Sequence, residues 1–179
     1  MAIRQTHPTL EELFDGWADA LGRDAVPYRN HAYRVFNIAA QISHAEGDDL
    51  ERLAVAAAFH DVGIWLDETF DYLGPSAYRA DVYLRSVGHA AWIADVRAMI
   101  EQHHKVFPWL GRSKLFVDAF RRADWLDVTF FVLPSSLPRR YFKALLEAFP
   151  RAGFHGRIAK IAASWIRHNP TRPLPMLKL

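Results

Sequence analysis

The chain has no cysteine. That absence removes disulfides, a thiolate nucleophile and a thiolate metal site, and it fits a reducing compartment. Long apolar runs are missing too. The longest, Leu53 to Phe59, falls far short of a bilayer span. The opening residues, MAIRQTHPTLEEL, contain no apolar signal core. A cytoplasmic location and no membrane partner are the resulting expectations. Excess charge is also small: the formal net charge is +2 and the pI about 9.0. That balance is too mild to argue for nucleic-acid binding. No two segments show the strict alternation of a paired sheet, and there is no internal repeat, low-complexity tract or linker.

What is present is material for a core. The 179 residues are 51% hydrophobic and 13% aromatic, enough for one globular domain spanning residues 1–179. The apolar spacing is helical almost throughout, which predicts an all-α fold, a single compact bundle of about eight helices. Thr9 with Glu12 reads as a cap for the first helix. Further helices are expected over about 27–46, stopped by Gly47, and from 48 or 49 to Asp61. Others run from Pro75 to Gly88, from His89 to Lys105 and from Ser113 to Pro134. The last two cover about 137–149 and 154–168, followed by an irregular proline-rich tail.

Several chemically costly residues lie on core-facing stripes. His31 shares a stripe with Val35, Ile38 and Ile42. His60 and Asp61 follow Leu53 and Ala57 at helical offsets, and Asp124 follows Val117 and Phe120. Taken singly, each has an ordinary reading: a core histidine bonded to a carbonyl, a cap, or an ion-pair partner, with Arg121 and Arg122 close to Asp124. Taken together, two imidazoles and two carboxylates that can converge make a donor set suited to a divalent transition metal. A bound cation would also remove the cost of burying them.

The ordered set His31, then His60-Asp61, then Asp124 resembles the HD domain superfamily, whose pattern is H…HD…D. FHDVG at a helix end and RRADWLD on a later helix carry the likeness, which covers about residues 27–130. The resemblance implies an all-α, metal-dependent phosphohydrolase with His31, His60, Asp61 and Asp124 as metal ligands. The ion would be manganese, iron, nickel, cobalt, zinc or magnesium. The substrate would be a small phosphate ester such as a nucleotide. Some branches place a lysine or a catalytic glutamate just after the doublet. Here Val62, Gly63, Ile64 and Trp65 stand there, which argues against the cyclic dinucleotide and glutamate-dependent nucleotidase branches. Asp67 and Glu68 are the acids that could substitute.

Some members hold a second metal with extra histidines. His89 and His103 lie 14 residues apart, about 21 Å along one straight helix. They cannot serve one dinuclear site, so His89 is set aside as a cap or surface residue. His103 continues the stripe of Ile100 and is read as inward, with His104 and Lys105 at the rim; the three are the catalytic candidates. Lys105, Arg112, Lys114, Arg121 and Arg122 are the candidate phosphate contacts. Trp65, Phe70, Tyr72, Phe107 and Trp109 flank the proposed site as core or as pocket wall. Two further functions stand beside hydrolysis: an HD-type di-iron oxygenase, and a non-catalytic metal- or nucleotide-binding regulatory domain. The oligomeric state cannot be read from the sequence.

Overall fold

The computed structural model describes residues 1–177 and is helical throughout, with no strand among the described residues. Lys178 and Leu179, the end of the expected tail, lie outside the described residues. α1 (Pro8–Gly16) and a short α2 (Ala18–Leu21) lead through a 3-10 turn, Gly22–Asp24, into α3 (Ala25–Ser43). α4 (Gly47–Phe59), the four-residue α5 (Gly63–Leu66) and α6 (Leu73–Ser86) follow. A second 3-10 turn, Ala90–Trp92, precedes α7 (Ile93–Gln102). α8 (Lys114–Val128), α9 (Arg139–Ala148) and α10 (Phe154–His168) complete the fold.

α3 is the central element. Its apolar face, with Val35, Phe36, Ile38 and Ala39, is fully buried between α4 and α8. α4 ends in seven consecutive buried residues, Leu53–Phe59, five of them small or β-branched, which lets α1, α3, α6 and α7 approach it together. Each fully buried leucine, isoleucine or phenylalanine here contributes about 1.5–3 kcal/mol of burial free energy. α10 contrasts with both, because Phe154 is its one buried residue.

The helix ends differ from the sequence reading in instructive ways. Thr9 does not cap α1. It lies in the first turn, where its hydroxyl donates to Glu51 Oε2 at 2.9 Å. α3 stops at His44, which takes the left-handed conformation (φ 55°), before Gly47 is reached. The expected helix from His89 to Lys105 is broken into the 3-10 turn and the shorter α7. α8 ends at Val128 rather than near Pro134. Phe130 adopts φ 60°, its N–H donates to Asp127 O, and Phe131 N–H donates to Leu126 O at 2.7 Å. This is the paired bonding of a Schellman stop, here without glycine.

Gly63 governs the segment after the doublet. Its N–H donates to Ser76 Oγ at 3.0 Å. A Cβ on it would lie 3.0 Å from Tyr72 O and 3.1 Å from Ser76 Oγ. The backbone of residue 72 is therefore seated directly on residue 63.

Candidate metal centre

Three helices deliver the side chains. α3 carries His31 mid-length, the end of α4 presents His60 and Asp61, and α8 carries Asp124. His31 and His60 are fully buried, and Asp124 and Asp61 are 1% and 6% exposed. His31 Nε2 lies 3.0 Å from His60 Nε2, 3.4 Å from Asp124 Oδ1 and 3.6 Å from Asp61 Oδ2. His60 Nε2 lies 3.4 Å from Asp61 Oδ2 and 3.9 Å from Asp124 Oδ1. Two nitrogens and two oxygens thus face one point, each from a different side chain.

A second group adjoins the first. His103, fully buried just beyond α7, puts Nε2 3.4 Å from Asp61 Oδ1, the other oxygen of that carboxylate. His104 Nδ1 lies 3.7 Å from Asp124 Oδ2. Asp61, His103 and His104 form a ligand-type cluster that shares Asp61 with the first.

The outer nitrogens fix the tautomers. His31 Nδ1–H donates to Asp127 Oδ2 at 2.7 Å, His60 Nδ1–H to Ala57 O at 2.9 Å, and His103 Nδ1–H to Ile100 O at 2.6 Å. With Nδ1 as donor in all three rings, each neutral ring turns a bare Nε2 lone pair inward. Asp127 is itself clasped by fully buried Arg34, Nε to Oδ1 at 2.6 Å and Nη2 to Oδ2 at 2.8 Å. Arg34 Nη1 donates to the carbonyls of Phe149 and Pro150. Phe154 of α10 stacks on the His31 ring, with centroids 4.1 Å apart.

Electrostatics follow from this packing. Burial pushes the His31 imidazole down, but hydrogen bonds to Asp124 and Asp127 outweigh it and raise it to about 9. Burial pushes His60 down to about 4, against the pull of Asp61. Two imidazolium rings cannot face each other at 3.0 Å, so one proton at most serves that pair. Burial, then the charge of His103, hold His104 down to about 3. Burial would raise Asp61, yet the imidazoles of His60 and His103 keep its carboxyl well below the usual range.

With both rings neutral, two lone pairs oppose each other across this point, and a bound cation would relieve them. A proton would satisfy only the His31–His60 contact. Asp61 Oδ1, Asp124 Oδ2 and His103 Nε2 are buried without hydrogen-bond partners among the described residues. An unmatched buried polar atom costs about 1–3 kcal/mol. Imidazole nitrogens and carboxylate oxygens in this number fit a divalent transition metal, so the residues present fit the ion.

The other sequence candidates are distributed more widely. Lys105 is half-buried beside His104. Arg121 braces that loop, donating to Lys105 O and Val106 O, and pairs with Asp118 rather than Asp124. Arg112 is exposed and pairs with Asp95. Lys114 and Arg122 are exposed on α8. Neither Asp67 nor Glu68 stands in for the missing glutamate: Asp67 is bonded to Arg79 and Glu68 is exposed. His89 is exposed and stacks on Trp92. Of the aromatics, Tyr72 reaches the site, its hydroxyl 2.5 Å from His104 Nε2. Trp65 stacks on Tyr28, while Phe107 is 77% exposed. Asp127, Arg34 and Tyr28 went unread in the sequence. The signal was spacing, since Asp127 is three residues from Asp124 and Arg34 three from His31, each one turn along the same face.

Comparison with known proteins agrees with this geometry. No curated protein and no solved structure matches the chain. A family model described as HD domain matches residues 28–129. That span takes in every one of the six clustered side chains, on helices or just past their ends, and their Asp127–Arg34 support, over more than half of the sequence, and the chain therefore belongs to the HD domain family.

Proposed function

We propose that the protein is a metal-dependent phosphohydrolase acting on a small phosphate ester such as a nucleotide. His31, His60, Asp61 and Asp124 would hold the divalent ion. The observation that carries this reading is the facing pair of Nε2 atoms, 3.0 Å apart and flanked by two carboxylates. When bound, such an ion supplies Lewis acidity and a water of lowered pKa.

The chain's own residues do the rest. Asp127 and Arg34 hold His31 in one tautomer and one orientation. Tyr72 has its hydroxyl pKa raised by burial and by Asp61 and Asp124, so it stays protonated. His104, its pKa lowered to about 3, stays neutral and is a weak base, so it offers a hydrogen bond rather than proton uptake. Lys105, at the edge of the buried set, supplies positive charge for a phosphoryl group. The surrounding helices exclude water from the six side chains, which strengthens every charge interaction among them.

Oxygenase chemistry at two irons is the second reading. The Asp61–His103–His104 cluster favours it, because a carboxylate shared with the first group and two imidazoles would be available to hold a second ion. The test is metal content per chain by elemental analysis, paired with a phosphate-ester screen and the Asp61→Ala variant. The hydrolase reading expects bound divalent metal, ester turnover, and loss of both in the variant. Turnover that survives without metal, or no metal even after reconstitution, overturns it. Two irons with oxygen-dependent turnover would move the assignment to the second reading.

A further inference from the structure

A cleft of about 580 Å³ lies between α10 and the wall formed by α2, the first 3-10 turn and α5. None of the six clustered side chains lines it. Its volume falls in the range of small-molecule sites, roughly 300–1,000 Å³. Two kinds of side chain dominate its walls: Trp65, Phe70 and Trp165 are flat and aromatic, and Arg23, Arg157 and Lys160 are cationic.

One buried carboxylate organises this lining. Asp24, 5% exposed, accepts from Trp65 Nε1 at 3.0 Å and from Arg157 Nε at 2.7 Å, both on Oδ2. An indole and a guanidinium are thereby fixed side by side, and the Arg157 guanidinium makes no other hydrogen bond among the described residues. The charge on the two walls is unequal. After Glu147 the sequence contains no acid, so α10 brings only cations to the cleft. Against them stand Asp24, neutralised by Arg157, and exposed Glu68. Arg23 and Lys160 form no ion pair among the described residues, and each is exposed. Aromatic surface suits a flat ring, and a guanidinium with a nearby ammonium suits phosphate.

We propose that this cleft is a second binding site, separate from the metal centre, for a small molecule joining a flat aromatic ring to a phosphate. The site is connected to the metal set. Trp65 stacks on Tyr28 with ring centroids 4.4 Å apart. The Tyr28 hydroxyl donates to Ala58 O at 2.6 Å and accepts from Asp61 N–H at 3.3 Å. A ligand held against Trp65 therefore bears on the helix end that presents the doublet, which makes the cleft an effector site.

The test is tryptophan fluorescence of the full chain titrated with adenosine monophosphate, as purified and again after chelation. Adenosine and inorganic phosphate serve as half-ligands, and circular dichroism checks that variants fold. Saturable quenching is expected with and without metal, with each half-ligand binding more weakly. The double variant Arg23→Glu, Lys160→Glu should weaken binding about tenfold or more. No saturable signal up to about 5 mM overturns the proposal. So does binding that vanishes on chelation, which would assign the ligand to the metal centre, and so does binding unchanged in the double variant. None of these outcomes bears on phosphate-ester turnover, so this site and the hydrolase reading stand or fall separately.

Discussion

His31 and His103 both turn a bare Nε2 toward Asp61, yet their outer nitrogens are tied to different things. His31 is bonded to a carboxylate that a buried arginine clasps, and that arginine is bonded in turn to two carbonyls at the end of α9. His103 is bonded to Ile100 O, one turn back in its own helix, and lies beside His104, whose ring meets Tyr72. The first arrangement spans α3, α8 and the residues after α9. The second is local, and the loop that follows it is largely exposed from Val106 to Leu110. A ligand braced by charge across three elements is fixed in place, whereas one braced by its own helix end moves with that end. The expected consequence is one stiff half of the site and one adaptable half.

The sharpest way to break this comparison is Asp127→Ala. It leaves Arg34 charged and unpaired in the core, a loss of roughly 3–5 kcal/mol. Thermal unfolding should show a large fall in Tm, and metal affinity should drop about 10–100-fold through the released His31. A Tm within a degree or so of wild type would mean that the buried clasp is not what holds this half.

Tyr72→Phe probes the other half. It keeps the ring against Ile64, Phe70 and Leu73 and removes only the hydroxyl facing His104. The stability cost should be about 1 kcal/mol. Turnover of a chromogenic phosphate ester should fall about tenfold, less than the roughly 100- to 10,000-fold of a group that transfers the proton itself, because the hydroxyl only orients His104. Equal losses in Tm for the two variants would erase the proposed difference between the halves.

The smallest effect lies outside both halves and serves as a reference. His7, 6% exposed, packs edge-on against Phe36, and burial lowers its pKa. Above about pH 6.5 folded and unfolded chains both carry it neutral, and it adds no pH dependence. As the pH falls through that value, the unfolded chain binds a proton that the folded chain resists, so stability falls. The drop in Tm between neutral and mildly acidic pH should be slightly smaller in His7→Gln than in wild type.

Much of this was legible in the sequence, for a physical reason. The inward stripes of α3, α4 and α8 repeat with the helical period, and any costly residue on such a stripe stands out. That is how His31, His60, Asp61 and Asp124 were picked, and the structure brings their ligand atoms together. Helix ends were less legible, because His44 and Phe130 take left-handed conformations that glycine more often supplies. Asp127 and Arg34 share the spacing of their neighbours, but an Asp and an Arg on a helix ordinarily read as solvated charges. Only the meeting of α3 with α8 shows that they are partners. Tyr72 was seen as one of five flanking aromatics, and nothing local distinguishes it from Phe107, which ends up exposed.

Gly63 carries a consequence for how the protein can change. The chain between Asp61 and Tyr72 is held by a close backbone approach at residue 63 and by the buried side chains of Val62, Ile64 and Phe70. Exposed Glu68 and half-buried Thr69 can therefore vary in identity while the tyrosine stays where it is. Any side chain at 63 would instead push residue 72 outward and carry its hydroxyl away from His104. The segment after the doublet thus combines a backbone contact that sets the position of residue 72 with two positions, 68 and 69, that can change. New specificity at the neighbouring cleft, which Glu68 and Thr69 help to line, can be gained there without disturbing the clustered histidines and aspartates.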